Sequence, residues 1–124
     1  MPRASRTTPA APAEWRRGEQ LTAAYLRGLG YLVVARNFRT RRAEVDIVAE
    51  EANELVFVEV KSWRRTPRAA GEHAIDTRKR ARIAGAARSF VARRPQFRNH
   101  RCRFDVVLVR SAGPPYHLRG AFES

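Results

Sequence analysis

The sequence predicts one mixed α/β domain with elements in the order αβββαββ, and three observations predict it. At 124 residues the chain suits a single domain. A chain of this size buries roughly two-thirds of its unfolded surface, enough to fold without disulfides or a structural metal. Hydrophobic residues make up 44%, which fits a packed core rather than a disordered tail. Along the chain, apolar residues switch from helical spacing to strand alternation and back.

Residues 1–13 hold three prolines and little to bury, and are expected to form a disordered basic arm before a domain over 14–124. From Glu14 to Leu29 the spacing predicts a helix with Leu21, Tyr25 and Leu29 on its apolar stripe and Gly30 as the C-terminal stop. Three strands follow, at Tyr31–Phe38, Ala43–Ala49 and Glu54–Lys61, joined by a basic turn at 39–42 and an acidic one at 50–53. Ser62–His73 reads as an arginine-containing loop. A second helix is predicted from Ile75 or Asp76 to Arg93, burying Ile75, Ile83, Ala86 or Ala87, and Phe90, with Pro95 after its end. Arg103–Arg110 reads as an interior strand and Tyr116–Phe122 as a short last one.

The charge is far from balanced: 25 Lys and Arg against 12 Asp and Glu, a net +13. Such an excess attracts polyanions, foremost nucleic acid. A compositional bias toward arginine would raise Arg without suppressing the acids. Only Lys61 and Lys79 are lysines. Lysine is a compact point charge on a thin stem, which arginine cannot replace in a tight site. For Lys79, chance is a serious alternative. The single cysteine, Cys102, excludes an internal disulfide and a cysteine zinc cluster, and is expected as a small buried strand residue. His73, His100 and His117 have no metal-ligand spacing and read as surface or loop histidines. No apolar run approaches membrane-spanning length and no signal peptide is legible, so no membrane association and a cytoplasmic location are expected.

The chemistry concentrates in two neighbouring strands. Alternation puts Leu55, Phe57, Glu59 and Lys61 on one face, ending an apolar row with a carboxylate and an ammonium. In Glu44-Val45-Asp46-Ile47-Val48, Val45 and Ile47 are expected to point one way, and Glu44, Asp46 and Val48 the other. An Asp within a β-branched strand calls for a ligand or partner. The short turn between the strands brings Asp46 toward Glu59 in an antiparallel pair. Two carboxylates beside a lysine suit a hard divalent cation, which polarises phosphate and acidifies bound water. An ordinary Glu–Lys pair on a half-exposed edge strand is the plain alternative.

Asp46, twelve intervening residues and then Glu59-Val60-Lys61 resembles the PD-(D/E)xK signature of restriction-endonuclease-like nucleases. More narrowly, the chain resembles the YraN-like family of small bacterial proteins, similar to Holliday-junction resolvases. The stretches that carry this are Gly18-Glu19, Tyr31 to Asn37, Glu44-Val45-Asp46, Phe57 to Lys61, Lys79 and Arg103-Phe104-Asp105, with a weaker match at Ala121-Phe122. Ala43 stands where the family usually has glycine, and Trp63 follows Ser62 where it usually has arginine.

The resemblance implies a restriction-endonuclease-like αβββαβ core, a mixed sheet flanked by helices. It implies a nuclease that uses Mg²⁺ or Mn²⁺ on DNA, including branched or distorted DNA, and that acts as a homodimer. Asp46, Glu59 and Lys61 would be catalytic. Glu19, Asp46, Glu59 and the Val60 carbonyl would hold the metal. Without the resemblance, Glu19 reads as a first-turn acid favoured by the helix dipole. Lys79, Arg82, Arg64 and Arg65 are expected to bind nucleic acid, and Trp63 to stack on a base or cover the sheet. Arg103 and Asp105 are expected to brace the site from behind. A nucleic-acid-binding module without turnover and a basic assembly protein with an acidic partner are the rival classes.

Overall fold

The computed structural model describes residues 13–62 and 77–122. The arm expected over residues 1–13 lies outside these residues except for Ala13, and so do Trp63, Arg64, Arg65, His73 and Ile75. Helix α1 (Ala13–Gly28) precedes a meander of β1 (Leu32–Arg39), β2 (Glu44–Glu51) and β3 (Glu54–Ser62). Helix α2 (Thr77–Arg93) and a 3-10 turn (Pro95–Phe97) lead to β4 (Arg101–Val109) and β5 (Tyr116–Phe122). The five strands lie in chain order, antiparallel throughout except for the parallel β3–β4 pair. The protein is therefore a mixed α/β fold: one five-stranded mixed sheet flanked by two helices. Among the described residues no helix is long and apolar enough to cross a membrane.

Each helix covers one sheet face. On the α2 side, Ile83, Ala86, Ala87 and Phe90 pack on Val45, Val48, Leu55, Phe57 and Phe104. The Phe90 ring meets Phe38, Phe57 and Phe97 at centroid separations of 5.1, 5.8 and 5.9 Å. On the α1 side, Ala23, Leu26 and Tyr31 pack on Ile47, Ala49, Val56, Val58 and Val107. Helix α1 ends as its glycine predicts. Gly30 sits at φ 97, its N–H donates to the Arg27 carbonyl, and the Tyr31 N–H donates to that of Leu26.

Four expectations are corrected. The buried stripe of α1 is Gly18, Thr22 and Leu26 with Ala23, while Leu21 and Leu29 are about half exposed. A four-residue row of large apolar residues marks a helix but not the side it buries, and here the smaller row lies on the sheet. Cys102 is exposed, because the β4–β5 ladder starts only at Phe104 and leaves that end of β4 uncovered. His117 is no surface histidine; its side chain is 6% exposed and lies between Asp105 and Tyr25. Finally, Val45 packs on the α2 side and Ile47 on the α1 side, so the two-residue alternation of β2 breaks at Asp46.

Candidate functional site

The break at Asp46 comes from both neighbours of β2. The β2–β3 register runs from Glu51↔Glu54 to Ile47↔Val58, and one more step would set Asp46 opposite Glu59. The regular ladder stops before that step. Instead the Val60 N–H donates to Asp46 Oδ2 at 2.8 Å, so the side chain replaces a strand carbonyl as acceptor. On the other side, β1 passes through Asn37 at φ 55, between the Arg36↔Ile47 and Phe38↔Val45 pairs. Asparagine tolerates this left-handed conformation better than most residues do. Its side chain acts on the Glu19 carboxyl, which also pairs with Arg36 at 3.7 Å.

Asp46, Glu59, Val60, Lys61 and Glu19 consequently line one open cleft of about 1300 Å³ between the two helices. Lys79 and Arg82 reach it from α2. Arg64 and Arg65, the other two residues expected to bind nucleic acid, lie outside the described residues. The chain's two lysines converge on a single oxygen: Glu59 Oε2 is 2.7 Å from Lys79 Nζ and 3.4 Å from Lys61 Nζ.

The electrostatics of the cleft are unbalanced. Burial pushes the Asp46 carboxyl up to about 7, against its bond from the Val60 N–H and reinforced by Glu59, Glu19 and Glu44. Burial likewise raises Glu19, against the pull of Arg36 and Asn37. For Lys79, burial pulls the ammonium down but the Glu59 carboxylate overrides it, and the net shift is upward.

As the side chains lie, no three His, Cys, Asp or Glu among the described residues stand close enough to hold a metal ion. The donor chemistry nevertheless fits a hard divalent cation. Asp46 is a partly buried acid whose carboxyl is raised by desolvation and by Glu59, Glu19 and Glu44, a position a cation would favour, and Glu59 and Glu19 offer oxygens across the same cleft. The difference between this donor set and a closed metal cage lies at Glu59, whose Oε2 is held by ammonium groups.

Arg103 and Asp105 are not in the cleft. Arg103 Nε and Nη2 donate to the two Asp105 oxygens at 3.0 and 3.1 Å, and Nη1 donates to Glu51 and Glu54. His117 Nε2 lies 2.7 Å from Asp105 Oδ2, and the Gly120 N–H donates to Oδ1. This network ties β4 to β5 and to the β2–β3 turn. It adjoins the cleft only through the backbone, where Asp105 pairs with Val58, the residue before Glu59.

The sequence reading missed three cleft arginines: Arg17 on α1, Arg42 in the β1–β2 turn and Arg110 after β4. Arg17 adjoins Gly18-Glu19 and Arg42 belongs to the basic turn, so both had a local signal. Arg110 had none, because only the fold brings the end of β4 beside β3.

The sequence profile of the uncharacterised protein family UPF0102 matches residues 18–109, a span that includes Glu19, Asp46, Glu59, Lys61 and Lys79. A UPF0102 protein of Rhodopseudomonas palustris (strain BisB18) is 41% identical over 106 residues, covering 86% of this chain and 77% of the relative. One from Pseudomonas putida (strain GB-1) is 39% identical over 127 residues, covering 99% of each chain. A third, from Geobacter sulfurreducens, is 40% identical over 111 residues and covers 86% of each. The chain therefore belongs to the uncharacterised protein family UPF0102, the YraN-like family that its motifs resemble.

Proposed function

We propose that this protein is a divalent-metal-dependent endonuclease of the restriction-endonuclease-like PD-(D/E)xK kind, hydrolysing phosphodiester bonds in DNA. The observation that carries the reading is the meeting of Asp46, Glu59 and Glu19 in one cleft whose walls hold lysine and arginine. A surface that only bound nucleic acid would gain nothing from carboxylates facing phosphate, since they repel it. Acids set among cations make sense where a metal ion and a phosphate meet.

In this reading Asp46, Glu59, the Val60 carbonyl and Glu19 hold Mg²⁺ or Mn²⁺. The ion supplies polarisation of the scissile phosphate and a bound water of lowered pKa. Lys61, two residues beyond Glu59 on the same face of β3, orients the attacking water or contacts the phosphate. Arg17, Arg42, Arg82 and Arg110 bind the flanking backbone as permanent cations. A preference for branched or distorted DNA rests on analogy with resolvases.

Incubating the purified protein with duplex, single-stranded and four-way-junction DNA in Mg²⁺ or Mn²⁺ tests this. Cleavage is expected with at least one substrate, and Asp46→Ala and Glu59→Ala should abolish it. Absence of cutting, or cutting that survives both substitutions, contradicts the proposal.

One observation favours a second reading, a binding module that keeps the fold without turnover: both lysines neutralise Glu59 as the site stands. Such a module would bind DNA with steep salt dependence, and Asp46→Ala would leave that binding intact.

A further inference from the structure

We infer that Lys79 is a built-in occupant of the metal position: it holds Glu59 while the cleft is metal-free, and leaves it when a divalent cation binds. The inference rests on the metal-site reading proposed above and concerns how that site is loaded. Two ammonium groups meet on one Glu59 oxygen, and that of Lys79 also acts on Asp46. The two lysines differ in how they arrive. Lys61 is fixed to the strand that carries Glu59, two residues on and on the same face, so it stays wherever Glu59 stays. Lys79 comes from another element, the first turn of α2, at the end of a flexible four-carbon stem.

Lys79 also makes the closer contact, 2.7 Å against 3.4 Å; its side chain is 34% exposed, about as open as that of Lys61 at 37%, so the element it comes from and not its exposure sets it apart. A divalent ion bound at the same oxygen would stand within a few ångströms of the ammonium, where the repulsion between them is large. The two occupancies therefore exclude each other. Glu59 is offered to a metal only when Lys79 gives it up. Arg82, three residues on along α2, lines the same cleft wall. A displaced Lys79 beside Arg82 forms a second cation facing the phosphate, so loading the metal also readies the cleft for a polyanion. Arginine at position 79 would not serve, because its planar fork binds a carboxylate bidentately and leaves it less readily.

Mn²⁺ titration by calorimetry tests the exchange on the whole chain, using wild type, Lys79→Met and Asp46→Asn. Removing the competitor should tighten Mn²⁺ binding about fivefold, the factor that corresponds to an ion pair of this exposure. Affinity in Lys79→Met equal to or weaker than wild type overturns the inference. Asp46→Asn separates the two levels. If it binds Mn²⁺ as well as wild type does, the metal-site reading fails, and this inference with it. If binding is lost there but Lys79→Met matches wild type, only the role of Lys79 fails.

A measurement on the unmutated protein guards against a variant that does not fold. With two lysines in the chain, lysine-selective isotope labelling gives two side-chain ammonium signals, assigned with Lys79→Arg. Adding Mg²⁺ should shift the Lys79 signal and speed its exchange with water as it leaves Glu59. A Lys79 signal that does not change as Mg²⁺ saturates the site contradicts the exchange.

Discussion

In the cleft, Asp46, Glu59 and Glu19 line the same space, and burial pushes the Asp46 carboxyl up to about 7. Around Arg103, on the α1 side of the same sheet, Asp105 is buried more deeply still and is shifted the opposite way. Burial alone would push Asp105 up, but His117, Arg103 and the Gly120 N–H override it and hold the carboxylate below its ordinary range. The difference is one of completeness. Asp105 accepts from Arg103 on both oxygens, from Gly120 on one and from His117 on the other, whereas Asp46 has one backbone N–H and acidic neighbours, and the Lys79 ammonium that acts on it is bound to Glu59. A buried charge that the fold itself satisfies serves architecture; one left short of positive charge is available to a ligand.

The comparison breaks most easily at Asp105. Asp105→Ala would leave Arg103 and His117 without their central acceptor, and should cost about 3–5 kcal/mol in urea unfolding. A loss no larger than that of an average surface substitution would show the network to be ornamental.

Next in size is the dependence on pH. The folded-state value of Asp46 lies above its unfolded value of 3.8, so between about pH 4 and 7 the metal-free folded protein binds the extra proton. Its stability from this group therefore falls as pH rises through that window, by up to about 4 kcal/mol. Asp105 acts with the opposite sign: its contribution is present above the unfolded value of 3.8 and is lost as pH falls through its lower folded value. Denaturant unfolding from pH 3 to 8 in EDTA should show both limbs, and Asp46→Asn should flatten only the upper one.

Smaller again is His117→Phe, which removes the contacts to Asp105 and Tyr25 and should cost about 1–3 kcal/mol. Least of all, Arg39→Ala opens the exposed Arg39–Glu44 pair at 3.5 Å, and should change stability by under about 0.5 kcal/mol.

These contrasts also explain what the sequence revealed and what it withheld. Helices and strands were legible because their periodicities are local, and the turn at Gly30 was legible because one residue type solves it. Which stripe of α1 is buried was not, since Leu21 and Thr22 are both compatible with a helix and only the sheet decides between them. The nearness of Asp46 to Glu59 followed from the short β2–β3 turn, but the break in alternation at Asp46 did not, because it depends on Asn37 in a third strand. The role of His117 was hidden for the same reason. Its partner Asp105 lies across a strand pair, and neither residue signals the other along the chain.

The most direct test of the contrast is urea unfolding of wild type and Asp46→Asn at pH 8, in EDTA and in Mn²⁺. In EDTA the variant should be the more stable, because it removes a charge that desolvation and acidic neighbours disfavour while its amide oxygen still accepts from Val60. In Mn²⁺ the order should reverse, with wild type gaining stability and the variant gaining little. An Asp46→Asn protein that is less stable than wild type in EDTA, and that Mn²⁺ stabilises equally, would contradict the account.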